Sequence, residues 1–404
     1  MIEAKKINTF KMMTLLLILT IPIGMSIDIY IPSMPEMVDY FHTTRHAIQL
    51  TVPIYILFSA LGQLIWGPMV DRFGRRRVIV GGCLIGILGT LFSLLAPNSD
   101  MLLLSRVITG FGFSSQTVGI RAILSDLYSG KELAKKAGIF AIIGSISPIT
   151  APVIGGYLGH AFGWKSGFIF IMITALLVSL VFLKFAEETL KEKNHYAIHP
   201  RHVLKNYFSL LKHPKFLAFV CGSSFMFSMA LSFVAVSAFL FQKEYDFSQI
   251  SFGWICLGIV FSCLPGRYIS MKASHTLGIN KSVLLSYSIT LSSGILLLGS
   301  FICFGLPPAF LVILIIFISS LGQNIMYPNS FAGAMEDFRH MAGSASAFLG
   351  ALQFLVGSLV SASIAVFPAS SILLLALAYT LLSLLGGGWF WWVVHRRSDC
   401  CIGK

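Results

Sequence analysis

Three charged side chains stand inside long apolar stretches of this chain: Asp28, Arg106 and Arg121. A charge at the centre of a membrane-spanning helix costs roughly 2.5–3.5 kcal/mol even on the lowest scales. Each must therefore be paired, wetted or placed near an edge. A carboxyl so placed can take up and release a proton, and a guanidinium can hold an anion or tune that carboxyl. Asp28 and Arg106 are each expected about five residues, or roughly 8 Å, below the outer end of their helices. A facing acid and base at equal depth is an economical way to keep both in the membrane. Asp28 is therefore read as the proton-coupling or cation-recognition carboxylate, with Arg106 as its charge partner. The plainer alternative is that Asp28 is wetted near a helix end broken by Pro32 and Pro35.

The elements that hold these residues follow from the apolar pattern. Hydrophobic residues make up 56% of the 404 and charged ones 11%, against about 25% charged in a soluble domain. A water-soluble surface cannot be built from this composition. A span needs about 20 apolar residues. Twelve such helices are expected: 12–33, 48–70, 78–96, 101–124, 133–158, 164–186, 215–241, 250–270, 281–304, 308–332, 342–367 and 371–394. The one long connection, 187–214, divides them into six and six. The expected domains are a six-helix bundle over 1–186, a linker over 187–214 and a second bundle over 215–404. Within the linker, Val203, Leu204, Tyr207, Phe208 and Leu211 recur at helical spacing beside basic residues, the pattern of an interfacial helix. His195, His199 and His202 read as part of a solvated linker, since Pro200 interrupts any shared helical face.

Loop charges set the orientation. With the N-terminus in the cytoplasm, 24 Lys and Arg residues fall on the inner side and only Arg45, Lys165 and Lys243 on the outer. Both termini are therefore expected in the cytoplasm. The net charge of +13 is an insertion signal and an attraction to anionic headgroups, and no nucleic-acid partner is expected. Lys5, Lys6 and Lys11 before the first apolar run mimic a secretory signal, but no small-x-small site follows, so the run reads as an uncleaved helix. The cysteines show no metal-binding spacing. An intramembrane enzyme would need a cluster of nucleophile, base or metal ligands, and a channel a ring of filter groups; neither is visible.

The loop after the second helix reads Gly67-Pro68-Met69-Val70-Asp71-Arg72-Phe73-Gly74-Arg75-Arg76-Arg77. Gly67 and Gly74 permit a tight turn, and Asp71 sits at the membrane edge, where it can face a helix N-terminus. The start of the eleventh helix, near Gly343, is the expected partner across the two halves. Arg121 lies about 30 Å along the fourth helix, at the same edge. An Asp71–Arg121 contact with Asp126 nearby would make an inner latch. The second half has only Pro265-Gly266-Arg267-Tyr268 and, further on, Gly278, without the acid. Helix five contains Ser147-Pro148-Ile149-Thr150-Ala151-Pro152-Val153-Ile154-Gly155-Gly156. Its prolines remove backbone donors and its glycines allow close helix approach.

The loop resembles the signature Gly-x-x-x-Asp-Arg-x-Gly-Arg-Arg of the major facilitator superfamily. The helix-five run resembles its antiporter motif, Gly-Pro-x-x-Gly-Gly, carried here by Pro148, Pro152, Gly155 and Gly156 with Ala151 at the first glycine. Asp28-Ile29-Tyr30-Ile31-Pro32 and Arg106-Val107-Ile108-Thr109-Gly110-Phe111-Gly112 narrow the resemblance to the bicyclomycin- and chloramphenicol-resistance (Bcr/CflA type) drug:proton antiporters. So do Arg121 to Asp126, Tyr327-Pro328-Asn329 and the Gly343–Ala347 run. The resemblance implies an all-α membrane fold of twelve helices in two six-helix bundles. It also implies an inner-membrane, multi-pass secondary transporter acting as a monomer. Its driving force would be the proton gradient, with no bound cofactor. Its cargo would be a small amphipathic molecule, or else a dedicated metabolite or siderophore. Gly67, Asp71, Arg72, Gly74, Arg75, Arg121 and Asp126 would form the cytoplasmic gate. Tyr30, Gln116, Asn324, Tyr327, Asn329 and Gln353 would line the substrate cavity.

Overall fold

The computed structural model describes residues 8–128, 132, 136, 140, 146–190, 210–336, 338, 342–367 and 371–402. It is all helical among these residues, and it divides into two compact units, Met1–His199 and Pro200–Lys404. In the first unit the helices are α1 (Thr9–Asp28), α2 (Met34–Tyr40), α3 (Arg45–Gln49), α4 (Thr51–Phe73), α5 (Arg75–Leu95), α6 (Ser99–Leu127), α7 (Ile146–Phe162) and α8 (Lys165–Phe185). In the second they are α9 (Pro214–Phe239), α10 (Gln249–Val260), α11 (Cys263–Leu277), α12 (Ile279–Phe304), α13 (Ala309–Met335), α14 (Ala342–Val366) and α15 (Ser371–Ile402). Ten continuous helical stretches among the described residues are long and apolar enough to cross a membrane. The other two spans are α6, which carries four charged residues, and α7, of which 17 residues are described.

Most helices begin and end where the local chemistry requires. Asn8 and Asn98 cap α1 and α6 by accepting from the N–H groups of Lys11 (3.1 Å) and Met101 (2.9 Å). Gly74 (φ +101°) and Gly278 (φ +80°) make the sharp turns α4–α5 and α11–α12, in a region that L side chains rarely adopt. Two expected helices are interrupted. The first stops as a regular α-helix at Asp28, passes through a 3₁₀ turn at Ile31–Ser33 and resumes as α2. Pro32 and Pro35 occupy first-turn positions of these new segments, where proline is tolerated because no intrahelical donor is lost. The eighth breaks between Val260 and Cys263 into α10 and α11. The expected interfacial helix at 203–211 and His195, His199 and His202 lie almost wholly outside the described residues, as does the start of the expected helix 133–158.

Small residues let the helices of the first unit approach closely. A Cβ on Gly82, Gly86 or Gly89 of α5 would fall within 2.6 Å of Ser115, Phe113 or Thr109 on α6. A Cβ on Gly110 would lie 2.3 Å from the Tyr55 carbonyl oxygen of α4. Between apolar helices in lipid, such packing supplies much of the association energy. It makes α4, α5 and α6 a tight three-helix set against which α1 and α8 are placed.

Candidate functional site

At the end of the first unit where α1 gives way to α2, Arg106 on α6 is 1% exposed. Its Nη2 donates to the Ser26 carbonyl of α1 at 2.8 Å. Its guanidinium carbon lies 4.5 Å from the Tyr55 ring centre, 4.7 Å from Tyr30 and 5.8 Å from Phe168. Three elements, α4, the end of α1 and α8, thus box one cation in aromatic faces, a favourable arrangement for a desolvated charge. Hydroxyls fix the box: Tyr55 shares a hydrogen bond with Ser26 Oγ (2.6 Å) and Tyr30 with Thr51 Oγ1 (2.9 Å). Nε and Nη1 of Arg106 have no hydrogen-bond partner among the described residues.

Asp28 is half-buried at the last turn of α1. Among the described residues no ion pair joins it to Arg106, and its carboxylate takes no hydrogen bond. The geometry of α1 gives the reason. Ser26 and Tyr30 are four residues apart and share the face turned to α4 and α6, whereas Asp28, two residues from each, lies on the far side. It shares a face with Gly24 and Ile21, which meet Pro148 and Ser147 of α7. The structure therefore gives Arg106 rings and a carbonyl in place of the expected carboxylate.

The α4–α5 turn holds a second charged group. Arg75 is buried, and its Nε and Nη2 grip both oxygens of Asp126 at 2.9 and 3.3 Å. Nη1 donates to the Val70 carbonyl at 3.0 Å, and Nη2 lies 3.1 Å from Asp71 Oδ1. The signature loop does place its acid at an ion-pair knot, but Arg75 and not Arg121 joins Asp71 to Asp126. Arg121 is five residues before Asp126 on α6, about 140° around the helix, and it makes no ion pair among the described residues. Arg72 is exposed beside Phe73. Gly74 makes the turn, while Gly67 lies within α4, where a Cβ would meet nothing within 4 Å. The tight-turn role expected of both glycines belongs to Gly74.

The run in α7 packs onto α1. A Cβ on Gly155 would sit 1.8 Å from the Ile29 carbonyl oxygen, and one on Gly24 would sit 2.8 Å from Pro148. Ser147 Oγ donates to the Ile21 carbonyl (2.8 Å). Ala151, Pro152 and Gly156 are buried, and Ala151 belongs to the core around Met25, Ile29 and Phe113. The residues expected to line a cavity are more divided. Tyr30 is part of the arginine box. Gln116 is buried between α5 and α6, donating to Cys83 Sγ (2.7 Å). In the second unit, Asn329 ties α13 to α11 through Ser270 Oγ (2.9 Å), and Asn324 donates to the Ser320 carbonyl (2.9 Å) beside Gly266. Tyr327 and Gln353 are half-buried on α13 and α14.

Several contributors escaped the sequence reading. Tyr55 and Phe168 complete the arginine box. Glu188 and Thr189 join the Arg75 knot from the stretch after α8: Thr189 Oγ1 donates to Asp126 (2.6 Å), and Glu188 accepts from two N–H groups of α5. Glu36 accepts from the Trp164 N–H (3.2 Å) at the start of α8. The only available signal was the acidic pair at 187–188 directly after a span.

Comparison with known proteins identifies the family and the fold. A model of the Major Facilitator Superfamily matches residues 16–362. A bicyclomycin resistance protein homolog of Haemophilus influenzae is 26% identical over 360 residues, covering 89% of each chain. An uncharacterized MFS-type transporter, YdgK, of Bacillus subtilis is 31% identical over 340 residues, covering 83% of this chain and 84% of its own. Multidrug resistance protein D of Escherichia coli is 25% identical over 375 residues, covering 92% of this chain and 93% of its own. Among solved structures, a mutant of the peptide transporter POT in complex with sulfate superposes with a TM-score of 0.74 at 15% identity, covering 93% of both chains. A bacterial homolog of the lysosomal transporter Spinster gives 0.73 at 16% identity over 96% of both. These likenesses extend the fold across both units. The chain, a multi-pass membrane protein with twelve spanning helices, belongs to the Major Facilitator Superfamily of transporters and is not an enzyme.

Proposed function

We propose that this transporter exports small amphipathic compounds in exchange for protons across the inner membrane. The observation that carries the reading is the state of Asp28. It is a half-buried acid in the first spanning segment, and Arg106, the base at similar depth, is engaged elsewhere. A carboxylate left without a protein counter-charge favours a positive partner. The C-terminal end of α1 strengthens that preference, since its carbonyls carry the negative pole of the helix dipole. A proton and a cargo bearing positive charge or donors can then compete for one group, which is the minimal requirement for exchange. The drug-resistance names of the relatives support the cargo class. The close seat of α7 on α1 supports a tightly sealed helix beside that group.

The test is uptake into inverted vesicles under an imposed proton gradient, over a panel of amphipathic drugs and host metabolites. Wild-type protein is expected to accumulate at least one drug when the lumen is acidic. Asp28→Asn is expected to insert normally and to lose the gradient-driven component. Full coupled activity in Asp28→Asn would remove that carboxyl from the mechanism. Gradient-driven transport confined to a host metabolite would replace the drug reading with a dedicated exporter.

A further inference from the structure

The inner knot of the first unit contains a part that the signature loop does not supply. Glu188 and Thr189 follow α8, in the stretch that leads out of the first unit. Glu188 Oε1 accepts from the Arg75 N–H at 2.8 Å, and Oε2 accepts from the Arg76 N–H at 3.2 Å. The Leu190 N–H also bonds to Oε1 at 3.2 Å, so the carboxylate is held from both sides. The first N–H groups of a helix have no acceptor within it, and that end of the dipole favours an anion. Gly74 leaves the room: a Cβ there would come within 2.6 Å of Glu188 Oε2. Thr189 is 4% exposed, and its hydroxyl donates at 2.6 Å to Asp126 Oδ2, the oxygen that also accepts from Arg75 Nε. Arg76 Nη2 adds a bond to the Leu183 carbonyl of α8. Four bonds thus fasten the residues around 183–190 to the first turn of α5 and the last turn of α6.

We propose that Glu188 and Thr189 are positioning residues of the inner gate, coupling the exit of the interdomain linker to the Arg75 knot. Glu188 fixes the first turn of α5, which carries Arg75. Thr189 fixes the carboxylate that Arg75 grips. Pulling the 188–190 segment away uncaps α5 and frees one side of Asp126 in the same motion. Linker movement and loosening of the gate are therefore one event. The inference rests on the chain being a transporter and not on proton coupling, so failure of the Asp28 test leaves it standing.

The experiment is hydrogen–deuterium exchange on the full-length protein in lipid nanodiscs, alongside transport in vesicles of any cargo found by the panel above. In Glu188→Ala, backbone amides of the first turn of α5 are expected to exchange about tenfold faster, as loss of a charge-assisted bond implies. Glu188→Gln, which preserves shape and one acceptor, is expected to fall between. Asp28→Asn is expected to leave exchange in this turn unchanged. Thr189→Val is expected to change the maximal transport rate with little change in the half-saturating concentration, and Thr189→Ser to restore it. Wild-type exchange at α5 in Glu188→Ala would overturn the proposal. So would faster exchange accompanied by wild-type transport in both Glu188→Ala and Thr189→Val.

Discussion

A guanidinium with two nitrogens that find no hydrogen-bond partner among the described residues persists inside the first unit because aromatic faces replace the water it lost. Each such contact contributes roughly 0.5–2 kcal/mol, more where the site is dry. Tyr55 supplies both a ring to Arg106 and a hydroxyl to Ser26. Tyr55→Phe is expected to cost about 1 kcal/mol through the lost hydrogen bond. Tyr55→Leu is expected to cost roughly 2 kcal/mol or more, since the cation then faces an aliphatic wall. Thermal unfolding in detergent, followed by size-exclusion fluorescence, would separate the two. At the α4–α5 turn, Arg75 serves Asp126, Asp71 and the Val70 carbonyl with one planar fork. Lysine keeps the charge and loses the fork. Arg75→Lys is therefore expected to fail to restore transport in vesicles, and activity equal to wild type would show that charge alone suffices. The sequence announced the three charged residues correctly, because charges in apolar runs are conspicuous. Their partners were not legible. Whether Asp28 or Ser26 meets Arg106 depends on the rotation of α1, which no pattern in an all-round apolar helix specifies.

At the scale of elements, α7 rests on the backbone of α1 at Gly155. A methyl group there would lie 1.8 Å from the Ile29 carbonyl oxygen, and a backbone atom cannot step aside as a flexible side chain can. Gly155→Ala is expected to force the helices apart, with most of the protein lost from the monodisperse peak. Gly67→Ala, where a Cβ meets nothing within 4 Å, is expected to behave as wild type. Equal yields of the two variants would contradict the packing described. The spans were readable because about 20 apolar residues in a row have one common fate. Pro32 and Pro35 announced the break after Asp28, but the one after Val260 was not legible, because a short break inside an apolar run changes no composition. Glu188 was hidden for the opposite reason. It sits in a charged stretch that looks uniformly solvated, and its role appears only when α5 is brought beside it.

For the whole molecule, the arginine and lysine distribution is the strongest statement the chain makes about orientation. A fluorescent protein fused to the C-terminus is expected to glow, and a periplasmic phosphatase at the same place to be inactive; the reverse pair of results would invert the topology. The two units also differ in a way the repeat in their helices conceals. Each has a glycine of positive φ at the corresponding turn, Gly74 in the first and Gly278 in the second. Around Gly278 the residues are His275, Ile279 and Lys281, and among the described residues no ion pair forms there. One unit has the crease with its clasp, the other the bare crease. Among the described residues the second turn thus carries no spare for the first. Damage at 71–76 or at 126 has no duplicate at that turn to absorb it, and in a saturation scan intolerance should crowd into those few positions while the neighbours of Gly278, at 275–277 and 279–281, drift freely.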